Sequence, residues 1–236
     1  MQILMSRMRA AMEKYDMIAD GDRIAVGVSG GKDSLALLYA LSEMRRFYPK
    51  EYEVVAITAD MRFFGNKTDF SEITRLCNSL GVEHIIRETD LYHIIFETRQ
   101  EKNPCSLCSR MRRGILHDIT KETGCNKLAL GHHMDDAAET FMMNLLSGGR
   151  IESFRPVTYL SRKDLYMIRP MIFATEKEVA SAARKTALPT VESPCPEDKA
   201  SNRNEMKQLL GELEKKYPAL KEKIIGGLNK AQISGW

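Results

Sequence analysis

IAVGVSGGKDSLALLYAL, residues 24–41, decides the architecture of this chain. The apolar run at 24–28 reads as a buried strand, and LALLYALSEM beyond it recurs at helical spacing. Between them lies SGGKDS, Ser29 to Ser34. Its glycines let backbone N–H groups converge at a helix N-terminus, where the dipole favours negative charge, so the unit is suited to phosphate. A bare tight turn with Ser29 or Asp33 as helix cap is the plainer reading. It leaves Lys32 and the paired hydroxyls unexplained. Three residues rather than four separate Gly27 from Gly31, and Asp33 follows Lys32, so this is not the Walker pattern. Nor is it a dinucleotide fingerprint.

Working outward, the alternation continues. A second strand reads VVAITA at 54–59, a helix covers 73–80, and a third strand covers 82–87 after Gly81. The helical pattern at 111–124 leads to a strand, KLALG (127–131), and then to a helix at 136–149 that closes on a glycine pair suited to a C-cap. Strands alternating with helices predict an α/β fold, a doubly wound and mainly parallel sheet flanked by helices. Before it, residues 3–18 form an amphipathic helix carrying Leu4, Met8, Met12 and Tyr15 on one side. After it, 150–164 reads as basic and irregular, and LYMIRP (165–170) as an edge strand closed by Pro170. Thr175 and Glu178 form a capping box, 188–198 is a proline-rich loop, and 202–236 is helical with a break at Pro218. The expected division is an N-terminal helix (1–20), a nucleotide-binding domain (21–200) and a C-terminal helical extension (201–236).

With 236 residues, 43% hydrophobic and 28% charged, the chain has the balance of a soluble globular protein with a sizeable core. Arg7, Arg9, Glu13 and Lys14 interrupt the start, leaving no apolar stretch long enough for a signal peptide or membrane span, so the expected location is the cytoplasm. A net charge of +3 is compatible with nucleic acid but does not name the partner. Five cysteines, an odd count, argue against a disulfide framework and toward metal, cluster or sulfur chemistry.

Two further segments carry chemistry. GHHMDDAAET, 131–140, sits at a strand end and a helix start, so it faces the same crevice as SGGKDS if the two strands are parallel neighbours. Asp136 and Glu139 have capping-box spacing, a sufficient role for Asp136. His132, His133 and Asp135, crowded directly after an apolar strand, need solvent or a ligand. The spacing is not that of an HExxH zinc site. Cys105 and Cys108 form CSLC immediately before the basic helix SRMRRGIL, and Cys195 lies far downstream in SPCPED. A CxxC is a redox pair, half of a zinc site, or two ligands of a cluster. Cys77, on an amphipathic helix, and Cys125, after Gly124, read as small structural residues.

SGGKDS after the first strand resembles the signature of the PP-loop ATP pyrophosphatases, whose fold is adenine nucleotide alpha hydrolase-like and which cleave ATP between the α and β phosphates. The resemblance implies that Ser29, Gly30, Gly31, Asp33 and Ser34 bind the pyrophosphate portion, with Lys32 at a variable position of the signature. Pyrophosphate as leaving group calls for donors and Mg2+, making Asp33 a metal ligand, direct or through water. Asp60, at the end of the second strand, either reaches the nucleotide or caps the following turn. CSLCSRMRRGIL, GHHMDDAAETFMMNLLSGGR and the later lone cysteine together resemble the tRNA 2-thiocytidine synthetase (TtcA) family over about residues 22–195. That resemblance implies a [4Fe-4S] cluster on Cys105, Cys108 and Cys195, and ATP beside Gly131, His133 and Asp135, with His132 more weakly placed. Asp33, Asp135 and the three cysteines become the expected catalytic set. The chain departs from the family in reading PCPED, without a second cysteine near the third ligand. The implied reaction is adenylation of a cytidine C2 oxygen in the tRNA anticodon loop, at position 32, followed by replacement with sulfur.

Implied partners are tRNA, a sulfur donor such as a cysteine desulfurase or sulfide, and no membrane, with a homodimer allowed. Arg110, Arg112, Arg113, Arg150 and Arg155 are RNA-phosphate contacts or a solvated face. A relative acting on a uridine or another substrate would read nearly alike. The competing readings are a persulfide route on one of the three cysteines without a cluster, and a non-enzymatic cluster or RNA-binding module, against which the intact SGGKDS argues.

Overall fold

The computed structural model describes residues 1–99, 104–192, 194–196 and 202–236. Helix α1 (Gln2–Lys14) precedes the alternation β1 (Asp22–Gly27), α2 (Lys32–Met44), β2 (Tyr52–Asp60), α3 (Ser71–Ser79) and β3 (Glu83–Glu88). Next come α4 (Pro104–Glu122), β4 (Lys127–Ala129), α5 (Met134–Gly148), the hairpin β5 (Val157–Leu160) and β6 (Leu165–Ile168), and α6 (Glu176–Lys185). Helices α7 (Asn202–Lys216) and α8 (Leu220–Lys230) end the chain, separated at Pro218.

The strands lie in the order β3-β2-β1-β4-β6-β5, all parallel except β5. The chain builds outward from β1 through β2 to β3, then returns to add β4 on the opposite side of β1. Adjacent parallel strands whose connections leave in opposite directions open a crevice at their carboxyl ends, and here those strands are β1 and β4. SGGKDS follows one and GHHMDD the other.

Period-two alternation splits the core between the two faces of the sheet. Ile24 and Val26 turn toward α1, α2 and α6, among Leu4, Met8, Leu35, Leu38 and Val179. Ala25 turns the other way, with Val55, Ile57 and Leu128, against Ile119 of α4. Each fully buried Leu or Ile adds about 1.5–3 kcal/mol of transfer free energy. Ile225 and Leu228 of α8 and the final Trp236 belong to the same core as α1. No helix among the described residues is long and apolar enough to cross a membrane.

The edge strand differs from expectation. LYMI is internal, paired on one side with β4 and on the other with VTYL, which lies in the stretch read as irregular. Pro170 falls after the last ladder residue, Ile168, and so removes no ladder hydrogen bond. Tyr159 and Tyr166, with ring centres 4.8 Å apart, form a cross-strand pair on the hairpin.

Candidate functional site

The SGGKDS loop is shaped by its own hydroxyls. Ser34 Oγ accepts the Ser29 N–H at 3.1 Å and donates to the Gly31 carbonyl at 2.9 Å, while Ser29 Oγ accepts the Gly31 N–H at 3.4 Å. Gly30 sits at φ +87°, a conformation that side chains rarely adopt. Gly31 is the N-cap of α2 and supplies no side-chain cap, which leaves the first-turn N–H groups for an anion. Lys32 Nζ lies 3.0 Å from the Asp33 carboxylate and 3.6 Å from Glu176. Burial alone would lower its pKa, but these two carboxylates outweigh it and raise it.

The two loops touch. A side chain at Gly131 would stand 3.1 Å from the backbone of Asp33 and Ser34, so glycine is the residue that fits there. Between the loops opens a cavity of about 520 Å³ lined by Ser29, Asp33, Ser34, Gly131, His132 and Asp136, with Arg112 from α4 and Arg203 from α7.

Within GHHMDD the structure redistributes the expected roles. His133 is the N-cap of α5: its Nδ1 accepts the Asp136 N–H, and the Asp136 carboxylate accepts the His133 N–H at 2.8 Å. The capping box therefore starts three residues before the Asp136–Glu139 pair that spacing suggested. His133 Nε2 is 3.9 Å from Asp33, so the ring joins the two loops without lining the cavity. His132 lines it instead. Burial, then Arg169 and Arg203, hold the His132 pKa well below the ordinary histidine range, and the ring is neutral at pH 7.

Asp135, expected in the catalytic set, is bound through both carboxylate oxygens by neighbouring elements. Its Oδ1 accepts from Lys221 of α8 at 2.7 Å and its Oδ2 from the Glu176 N–H of α6 at 2.7 Å. Burial would raise its pKa, but Lys221 and that N–H lower it. Asp60 is likewise consumed locally. It accepts from the N–H groups of Arg62 and Thr68, both at 3.1 Å, and from the Thr68 hydroxyl at 2.9 Å, holding the loop after β2. Its neighbour Ala59, not Asp60, lines the cavity.

Cys105 and Cys108 lie in the first turns of α4 rather than before it. Their partner arrives by a long return: the Val191 N–H donates to the Gly30 carbonyl at 3.0 Å and brings the proline-rich loop back over SGGKDS. Cys195, Cys105 and Cys108 are thereby in electrostatic reach of one another. Burial raises the Cys108 pKa, Cys195 and Cys105 add to it, and Arg112 opposes. Cys108 also packs into an apolar patch with Met61, Phe63, Phe96 and Met111. None of the five cysteines is in a disulfide. Among the described residues no three metal-ligating side chains gather tightly enough for a single ion. The ligands of a cubane attach to separate irons and so stand further apart, and soft thiols beside an apolar wall and an arginine are a donor set that fits such a cluster. Cys77 and Cys125 are buried in the two faces of the core, and burial pushes the Cys77 thiol up to about 11.

Arg203 joins the site without any motif in the sequence to announce it. It bonds Glu139 at 3.1 Å and Asp136 at 3.3 Å from a helix with no spacing signal to link it to either.

A mainly parallel sheet with a glycine anion loop at its switch point, a second loop packed on it and thiols alongside point to the PP-loop class. The family model of the PP-loop domain matches residues 3–213. A tRNA-cytidine(32) 2-sulfurtransferase of Geobacter sulfurreducens is 40% identical over 94% of this chain and 87% of that protein. Its counterpart in Syntrophotalea carbinolica is 39% identical over 94% and 86%. Among solved structures, the U34-tRNA thiolase NcsA from Methanococcus maripaludis with its [4Fe-4S] cluster superimposes with a TM-score of 0.79 and 29% identity, covering 97% of this chain and 78% of that one. The chain belongs to the tRNA-cytidine(32) 2-sulfurtransferase family of PP-loop proteins.

Proposed function

We propose that this protein is an ATP-dependent tRNA sulfurtransferase of the cytoplasm that converts cytidine 32 to 2-thiocytidine, the activity named for its relatives. The observation that carries the reading is the meeting of the anion loop and the three thiols: Val191 ties the Cys195 loop to Gly30, and Arg112 spans from the cavity wall to Cys108.

In this reading the α2 N-terminus, with Ser29, Gly30, Gly31 and Ser34, receives the pyrophosphate portion of ATP. The cytidine C2 oxygen attacks the α phosphorus, pyrophosphate leaves, and sulfur then displaces AMP at C2. Lys32 is held by Asp33 and Glu176 beside the loop, where its charge offsets that of the leaving group. Arg112 and Arg203 add positive charge on the cavity wall. When bound, a [4Fe-4S] cluster on Cys105, Cys108 and Cys195 would offer sulfide an iron without a protein ligand, and Mg2+ at Asp33 would neutralise pyrophosphate. His132, neutral and bordering the cavity, accepts or donates a hydrogen bond without adding charge. Sulfur comes from a cysteine desulfurase or from sulfide.

The test is incubation of unmodified tRNA with the anaerobically prepared protein, ATP and sulfide, followed by mass spectrometry of the nucleosides. 2-Thiocytidine at position 32, with one AMP per sulfur inserted, is expected. The likeness to a U34-tRNA thiolase favours a second reading, thiolation of uridine 34, and thiouridine in its place would establish it. Thiolation by iron-free protein supplied with a cysteine desulfurase and cysteine, but not with sulfide alone, would instead establish the persulfide route.

A further inference from the structure

Arg169 directly follows β6 at the carboxyl edge of the sheet and is 5% exposed. Its Nη1 donates to the Arg155 carbonyl, Nη2 rests 3.9 Å from Met167 Sδ, and the guanidinium lies 4.8 Å from the Phe154 ring centre. Nε has no partner, and among the described residues no carboxylate pairs with this cation. A buried charge without a counter-ion is costly, and elsewhere this fold avoids one. Lys127, equally buried in the same sheet, meets Asp22 at 2.6 Å.

The surroundings make the exception sharper. Burial and Arg113 push the Arg169 pKa down to about 10, so it remains charged at neutral pH. His132 follows β4, the parallel neighbour of β6, and its ring centre is 5.0 Å from that of Phe154, the ring on which Arg169 lies. His132 lines the cavity, and its Nδ1 too is without a partner. His132 thus borders the cavity on its β4 side, and the buried Arg169 stands behind the cavity wall, across the Phe154 ring that both side chains touch. An anion arriving with substrate would complete this arrangement.

We propose that Arg169, together with the cavity-lining His132, forms a phosphate subsite that receives a phosphate oxygen of the RNA nucleotide presented for thiolation. ATP offers the same oxyanion chemistry, but its pyrophosphate portion belongs at SGGKDS after β1, two strands away in the order β1-β4-β6. The assignment to RNA rests on the tRNA-thiolation reading; the presence of the subsite does not.

The experiment uses the full chain with its cluster, as wild type, Arg169→Met and Arg169→Lys. Melting is followed with and without inorganic phosphate, and ATP and tRNA affinities are measured across a salt series. With pyrophosphate present to fill SGGKDS, added inorganic phosphate should raise the melting temperature of the wild type further but not that of Arg169→Met. Without phosphate, Arg169→Met should melt no lower than the wild type, because it removes an uncompensated buried charge. It should bind tRNA about tenfold more weakly, with a salt slope shallower by about 0.7–0.9, as expected for one lost phosphate contact. ATP affinity should stay within about twofold, and Arg169→Lys should fall between. An ATP defect with tRNA binding intact would overturn the RNA assignment. Lower melting with an unchanged phosphate response and salt slope would overturn the subsite and make Arg169 a strut. Should the wild type bind no tRNA yet still respond to phosphate through Arg169, the subsite stands and the tRNA reading falls.

Discussion

Asp135→Asn separates a structural carboxylate from a chemical one. In the wild type, Asp135 is buried, pairs with Lys221 at 2.7 Å and accepts the Glu176 N–H at 2.7 Å, so it fastens α8 and the start of α6 to α5. Breaking one side of a buried ion pair costs about 3–5 kcal/mol. Two features reduce that here: Lys221 keeps Glu214 at 3.2 Å, and the amide oxygen still accepts the Glu176 N–H. A loss of about 2 kcal/mol is expected, which lowers the melting temperature by about 4–8 °C for a chain of this length.

The pH dependence follows from the direction of the shift. The Asp135 pKa is lower in the fold than in the unfolded chain, so its stabilisation is complete above the unfolded value of about 3.9 and is lost as pH falls through the folded one. The gap between variant and wild type should be full at pH 7 and shrink as pH drops below about 4. Calorimetry at both pH values measures it, and thiolation per folded molecule should survive at 20 °C. An unchanged melting temperature with abolished thiolation would refute the clamp and return Asp135 to the chemistry.

Asp33→Ala is the converse. The Asp33 carboxylate is one-third exposed and, among the described residues, pairs with Lys32 and, more distantly, His133, so thiolation should vanish while stability shifts by less than about 0.5 kcal/mol, as calorimetry and turnover will show. Anaerobic protein should be brown and carry about four irons per chain. Cys105→Ala, Cys108→Ala and Cys195→Ala should each lose colour and thiolation together, while Cys77→Ala and Cys125→Ala keep both; iron analysis and visible absorption decide this, and stoichiometric zinc in active protein would sink it. Affinity for tRNA should fall steeply with salt, because phosphate contacts release counter-ions, and a flat response would point to a small-molecule substrate.

Much of the fold was legible because its signals are local. The strand, glycine turn and helix at 24–41 report themselves through period and composition, and the register places the two glycine-bearing loops on neighbouring parallel strands. The thiol set was legible only through a resemblance, since nothing in the spacing of Cys105, Cys108 and Cys195 states that the last returns over SGGKDS. Asp60, Asp135 and the two histidines share one feature that their positions in sequence leave open. Sequence shows that a carboxylate or imidazole stands at a strand end, but not whether an adjacent N–H will take it first. Thr68 takes Asp60, the start of α6 takes Asp135, and Asp136 takes His133, which leaves His132 at the cavity.

The C-terminal helices bear on why such local capture matters at an anion site. Helix α5 opens with Asp135 and Asp136 and adds Glu139 one turn later, three carboxylates in the helix start of which Asp136 lines a cavity whose loop geometry suits phosphate. Left alone, that charge would oppose a triphosphate at the same edge of the sheet. Lys221 engages the first, and Arg203 bridges the other two at 3.3 and 3.1 Å. Both cations come from the segment beyond residue 201, which therefore neutralises the acidic helix start as well as covering it. Arg203 borders the cavity while so paired. The last two helices, read from the sequence as a lysine- and glutamate-rich C-terminal extension, in this way reach the cavity and the start of α5.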